Sequence, residues 1–126
     1  QFPDAPQTTP PHQDAAYVPD AAGVWQLWTP LWPCGPGDGV LAVAPGSHLA
    51  GLRPHDADFH GHPVARLAPD QRWHASHLQP GDVLLLSALT MHRALENDGP
   101  WLRVSVDLRW RPAPLATART SQMPAT

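Results

Sequence analysis

His12 and Asp14, separated by Gln13, and His92 far downstream are residue types that could do chemistry together. Side chains at i and i+2 of a β-strand point to the same face, so His12 and Asp14 on a strand could grip one ion. A second histidine from another strand would complete a 2-His-1-carboxylate set. That set leaves three positions open on one side of a non-haem Fe(II). Arg103 could then meet an anion beside the metal. A His-x-Asp tripeptide also occurs by chance, so its weight depends on the elements that hold it.

Those elements are predicted to be short strands. The 17 prolines and 9 glycines break the chain into brief pieces, and no window sustains the apolar period of an amphipathic helix. Strands are expected over 7–12, 24–31, 40–43, 73–78, 82–86, 90–95 and 102–110. Pro45-Gly46-Ser47 and Pro80-Gly81-Asp82 read as turns that feed strands. The tail 112–126, rich in Pro, Ala, Thr and Ser, is expected to fray.

Glu96-Asn97-Asp98-Gly99-Pro100 is a strong turn signal between two of these runs, which predicts a hairpin. One register sets His92 opposite Arg103, the other opposite Ser105. Arg103 and Ser105 are themselves i and i+2, so either register puts all three on one face. The opposite face (Leu102, Val104, Val106, Leu108, Trp110) is expected to pack into apolar surroundings. The plainer alternative makes Arg103, Ser105, Asp107 and Arg109 the wet face of an amphipathic strand.

Composition narrows the function. The 126 residues fit one domain. The sequence contains no lysine, which removes Schiff-base chemistry and a P-loop lysine. A net charge of −3 with scattered arginines argues against nucleic-acid binding. No stretch is long and apolar enough for a membrane span, and no signal peptide is visible. A single cysteine, Cys34, fits a reducing compartment, so a cytoplasmic location is expected. Cys34 reads as an inert loop residue more readily than as a catalytic thiol.

Taken together, His12-Gln13-Asp14, Trp28-Thr29, Asp38-Gly39-Val40-Leu41, Pro45-Gly46-Ser47-His48, Pro54-His55-Asp56, Pro80-Gly81-Asp82, His92, Asn97 and Arg103 resemble phytanoyl-CoA dioxygenase-like enzymes in order and approximate spacing. The resemblance covers roughly 7–110. It implies an all-β, or mainly β, double-stranded β-helix (a jelly roll) and an Fe(II)- and 2-oxoglutarate-dependent dioxygenase that uses O2. By the same resemblance His12, Asp14 and His92 would hold iron, Arg103 would bind the distal carboxylate of 2-oxoglutarate, and Trp28 would line that pocket. Asp14 argues for hydroxylation, because related halogenating enzymes replace the carboxylate with a small residue. The expected substrate is a small organic molecule.

The chain departs from the family pattern at Ala94, where many members carry a hydroxyl; Ser105 could supply one instead. Little chain precedes His12, so residues 1–111 read as the C-terminal catalytic part of a longer enzyme, lacking part of the N-terminal region, or as a minimal relative. A second group, His55, Asp56, Asp58, His60 and His62, could bind zinc or copper or face a substrate, although a polar loop is the plainer reading. His74 and His77 read as structural or exposed, and His48 as structural. A non-catalytic jelly-roll binding module remains the alternative function, since jelly rolls also serve lectins and cupins.

Overall fold

The computed structural model describes residues 8–18, 20–21, 23–57 and 62–112. Its strands are β1 (Trp25–Pro30), β2 (Leu41–Val43), β3 (His55–Ala57), β4 (Pro63–Ala65), β5 (Leu84–Ser87), β6 (His92–Ala94) and β7 (Ser105–Trp110). Two short 3-10 turns, Asp14–Ala16 and Ser47–Ala50, are the helical elements among the described residues. The mainly β expectation holds, and every strand pair is antiparallel.

The first layer is a three-stranded sheet in the order β5-β1-β7. The second is built on the pair β2-β6 and extended by single bridges. His12 pairs with His92 on one side and His74 with Val43 on the other. The Ala65 amide donates to the Pro11 carbonyl, which links the β3-β4 hairpin to the same edge. Between the layers Trp28 and Leu84 of the first sheet meet Leu41 and Ala94 of the second, with Cys34, Val40 and Leu78 completing the core. Cys34 is a core residue whose thiol is pushed up by burial, so it is no candidate nucleophile.

Several expectations need correction. The strand expected over 7–12 contracts to the His12 bridge and a contact from the Ala94 amide to the Thr9 carbonyl, with residue 7 outside the described residues. The prolines at 10 and 11 explain this, since neither can donate to a ladder. The run 73–78 forms only the His74 and Leu78 bridges. The β3-β4 hairpin falls where a polar loop was the plainer reading, and residues 58–61 between its strands lie outside the described residues. So do nearly all the residues of the predicted tail.

The largest correction concerns the predicted hairpin. β6 pairs with β2 and β7 pairs with β1, so 95–104 is a crossover between layers and not a tight turn. The Leu95 amide donates to Val40, Asn97 bridges Asp38, and the Leu31 amide donates to Val104. Each bond satisfies the crossover's backbone with the segments flanking β1 and β2 and not with its predicted partner. Asn97 also holds the bend itself, donating to the Trp101 carbonyl at 2.9 Å and accepting from the Gly99 amide at 3.3 Å.

Candidate metal centre

His12 reaches the second layer through its bridge to His92, and the chain then turns out of the sheet. Asp14 is the first residue of a 3-10 turn, not an i+2 strand neighbour of His12. The turn still brings its carboxylate back under the two imidazoles. His12 Nε2 lies 3.4 Å and His92 Nε2 3.7 Å from Asp14 Oδ1. One ligand atom from each of the three residues falls within 4.8 Å of the others, and all three side chains are buried.

The far ring nitrogens explain why both Nε2 atoms face inward. His12 Nδ1 lies 2.7 Å from the Pro10 carbonyl and His92 Nδ1 lies 3.0 Å from the Thr90 carbonyl. A carbonyl accepts only, so each Nδ1 carries the proton and each Nε2 presents a lone pair. Second contacts of this kind orient histidines that hold metals. Burial, followed by repulsion from His12 whenever that ring is protonated, holds His92 below the usual histidine range and so in the neutral form a metal requires.

Burial alone would raise the Asp14 carboxyl. Contacts with Arg109 and, while the metal-free imidazoles are protonated, with His12 and His92 outweigh it and lower the pKa to about 2. Arg109 Nε donates to Asp14 Oδ2 at 2.5 Å. Tyr17 completes the group, with its hydroxyl 3.4 Å from Asp14 Oδ1 and its ring 5.6 Å from that of His12. Burial, then the charge of Asp14, pushes the Tyr17 phenol up and keeps it protonated.

Gln13, between the two ligand candidates, is fully buried and ties the surrounding loops together. Its side-chain nitrogen donates to the Gly51 and Leu89 carbonyls, its oxygen accepts from the Arg53 amide, and its own amide donates to His55 Nε2. Ser47 of the Pro-Gly-Ser-His turn accepts from the Met91 amide at 2.8 Å and so fixes the residue before His92.

A cavity of about 270 Å³ joins these groups to the first sheet. His12, His92 and Ala94 line one wall and Gln26, Trp28, Arg103, Ser105, Asp107 and Arg109 the other. His92 and Arg103 therefore face each other across the sandwich. Arg103 Nη1 donates to Ser105 Oγ at 2.7 Å, and its guanidinium lies 5.4 Å from the Trp28 ring centroid. Burial disfavours its charge. Such a cation gains more than an exposed one from an incoming carboxylate.

The second candidate cluster does not assemble among the described residues. His55 is occupied with Gln13 and with the Arg53 carbonyl, while Asp56 forms a paired contact with Arg66 at 2.8 Å. His62 instead lines a neighbouring cavity of about 340 Å³ with Thr8, Thr9, His12 and Tyr17, of which Thr9, His12 and Tyr17 also line the first cavity. Asp58 and His60 lie outside the described residues. His74 and His77 are exposed, and so is His48, for which a structural role was expected. Sequence reasoning missed Tyr17, the hub role of Gln13, and Arg109. The shared parity of 103, 105, 107 and 109 was the available signal for Arg109, because it places all four on one strand face.

The family model described as Phytanoyl-CoA dioxygenase (PhyH) matches residues 2–105. The chain belongs to this family. It is 36% identical over 130 residues to a 1-deoxypentalenic acid 11-beta-hydroxylase of Streptomyces arenae, covering 89% of this chain and 46% of that protein. The enzyme of the same name from Streptomyces exfoliatus is 33% identical over 117 residues, covering 83% and 41%. Among solved structures, EvdO2 from Micromonospora carbonacea var. aurantiaca, complexed with 2-oxoglutarate, superposes with a TM-score of 0.71 at 27% identity. That match covers 89% of this chain and 48% of EvdO2. The chain thus spans about half the length of the curated relatives it matches, and its jelly-roll fold is that of this PhyH enzyme group.

Proposed function

We propose that this PhyH chain carries the metal and cosubstrate site of an Fe(II)- and 2-oxoglutarate-dependent dioxygenase that hydroxylates a small organic molecule. One observation carries the reading: His12, Asp14 and His92 bring ligand atoms within 4.8 Å of one another, and His12 and His92 line the cavity that Arg103 lines from the other layer. Two neutral imidazoles and one carboxylate are the donor set that suits Fe(II) while leaving open positions. Iron bound there would supply O2 activation coupled to conversion of 2-oxoglutarate to succinate and CO2.

The chain's own residues bind, orient and shield. His12, Asp14 and His92 are the assigned metal ligands. Arg103 takes the distal carboxylate of 2-oxoglutarate through a charge-assisted pair, oriented by Ser105 and bounded by the Trp28 ring. Trp28 and Leu41 close the apolar side of the pocket and limit water. The named activity of the Streptomyces relatives, hydroxylation of a carboxylic acid, supports a small organic substrate. The buried, unbridged Cys34 supports a reducing, cytoplasmic setting. No helix among the described residues is long and apolar enough to cross a membrane.

The test is anaerobic loading with Fe(II), then O2 and 2-oxoglutarate, with succinate as the readout. Succinate that depends on Fe(II), 2-oxoglutarate and O2 is expected. Iron bound without succinate in the presence of candidate acids would instead make the chain a binding module.

A further inference from the structure

Arg109 sits on β7 directly opposite Gln26 of β1, on the sheet face that looks into the cavity. Its Nε donates to Asp14 Oδ2, while Asp14 Oδ1 is the oxygen that faces both imidazoles. The two oxygens of one buried carboxylate are therefore assigned to different partners. Arg109 is held in turn. Its Nη2 lies 3.6 Å from Asp107 Oδ2, and that oxygen accepts from Gln26 Nε2 at 2.9 Å. Gln26 is buried beneath them, so Asp107 and Gln26 brace the arginine from β7 and β1.

We infer that Arg109 is a positioning residue that keeps Asp14 a one-oxygen ligand and thereby preserves the coordination position at which a diatomic gas binds. The inference rests on the iron and 2-oxoglutarate reading above. Carboxylates bind metals through one oxygen or two. In an octahedral site, three protein atoms and two atoms of a chelating oxo-acid leave a single position open. A second oxygen from Asp14 would fill it. With Oδ2 tied to a guanidinium by a charge-assisted hydrogen bond, only Oδ1 is available. Simple neutralisation of a buried carboxylate would account for the contact as well, but it makes no prediction about that last position.

The experiment compares the full chain with its Arg109→Met and Arg109→Lys variants, each loaded anaerobically with Fe(II) and 2-oxoglutarate and titrated with nitric oxide. The paramagnetic resonance signal of the iron–nitrosyl centre is the readout. At saturating Fe(II) and 2-oxoglutarate, Arg109→Met is expected to hold both but to bind nitric oxide ~10-fold or more weakly, equivalent to about 1.4 kcal/mol, because the freed Asp14 oxygen competes for the same position. Arg109→Lys, which still offers a donor to Oδ2, is expected to recover much of that loss. Nitric oxide binding in Arg109→Met equal to wild type would overturn the inference.

A second measurement needs no variant. In the wild-type Fe(II) complex, the infrared splitting between the two carboxylate stretches of isotope-labelled aspartate should be the wide one of a one-oxygen ligand. A narrow, two-oxygen splitting overturns the clamp even if Arg109→Met fails to fold. Wild-type protein that binds neither Fe(II) nor 2-oxoglutarate would instead overturn the functional reading on which the clamp rests.

Discussion

The two faces of the β5-β1-β7 sheet reverse the usual polarity of a sandwich. The face toward the second layer carries Gln26, Ser105, Asp107 and Arg109 beside Trp28, Leu84 and Leu86. The opposite face carries Trp25, Leu27, Leu85, Val106, Leu108 and Trp110, with Leu85 and Leu108 about half exposed at 54% and 55%. An antiparallel sheet ordinarily turns its apolar side to the core. Here the inner side has surrendered part of its core role to a polar cavity. Its charges are tolerated because they are paired: Asp14 with Arg109, and Asp107 with Arg109 and Gln26. The inner face therefore lines the candidate site, and the outer face leaves large apolar side chains exposed.

That contrast can be broken from the inside first. Asp14→Ala removes a ligand candidate and strips Arg109 of its partner. Fe(II) affinity, measured by anaerobic calorimetry, should fall more than ~100-fold, beyond the loss typical of residues that only support a ligand, and succinate formation should vanish. Retained turnover would end the ligand assignment. Arg103→Ala should leave iron binding intact but raise the Kd for 2-oxoglutarate about 100-fold, the equivalent of about 2.7 kcal/mol for lost charge-assisted hydrogen bonds. An unchanged Kd would move the distal carboxylate elsewhere in the cavity.

Smaller changes sharpen the comparison. Ser105→Ala deletes the hydroxyl that Arg103 meets at 2.7 Å. With a guanidinium as donor the contact contributes about 1.5 kcal/mol, so the 2-oxoglutarate Kd should rise about tenfold. On the outer face, Leu108→Thr should shift unfolding free energy by no more than about 0.5 kcal/mol, as for exposed positions, with the metal and 2-oxoglutarate constants unchanged. A cost of about 2 kcal/mol or more in chemical denaturation would mean that this apolar face is covered in solution.

The strands around the core were legible because alternation and turn residues report local geometry. β1, β2, β5, β6 and β7 all fall within or beside their expected ranges. The His-x-Asp geometry was not legible in the same way. His12 and Asp14 do converge, but through a bridge followed by a 3-10 turn and not by sharing a strand face. Residues two apart can be brought together by more than one backbone path, and the tripeptide does not distinguish them. For β7, the plainer reading placed its polar residues in water and the sharper one packed its apolar residues into a core. The polar face does meet the site, yet the apolar face is exposed.

The sequence by itself determined the residue types of the site, the mainly β architecture and the resemblance to the PhyH enzymes, because composition, alternation and motif order are local or linear properties. Tertiary structure alone decided which strands pair, that His92 meets Arg103 across two layers, and that Arg109 holds the second oxygen of Asp14. The physical reason is long-range pairing. The crossover 95–104 satisfies its backbone with Asp38, Val40 and Leu31, partners that a turn signal between neighbouring runs does not encode.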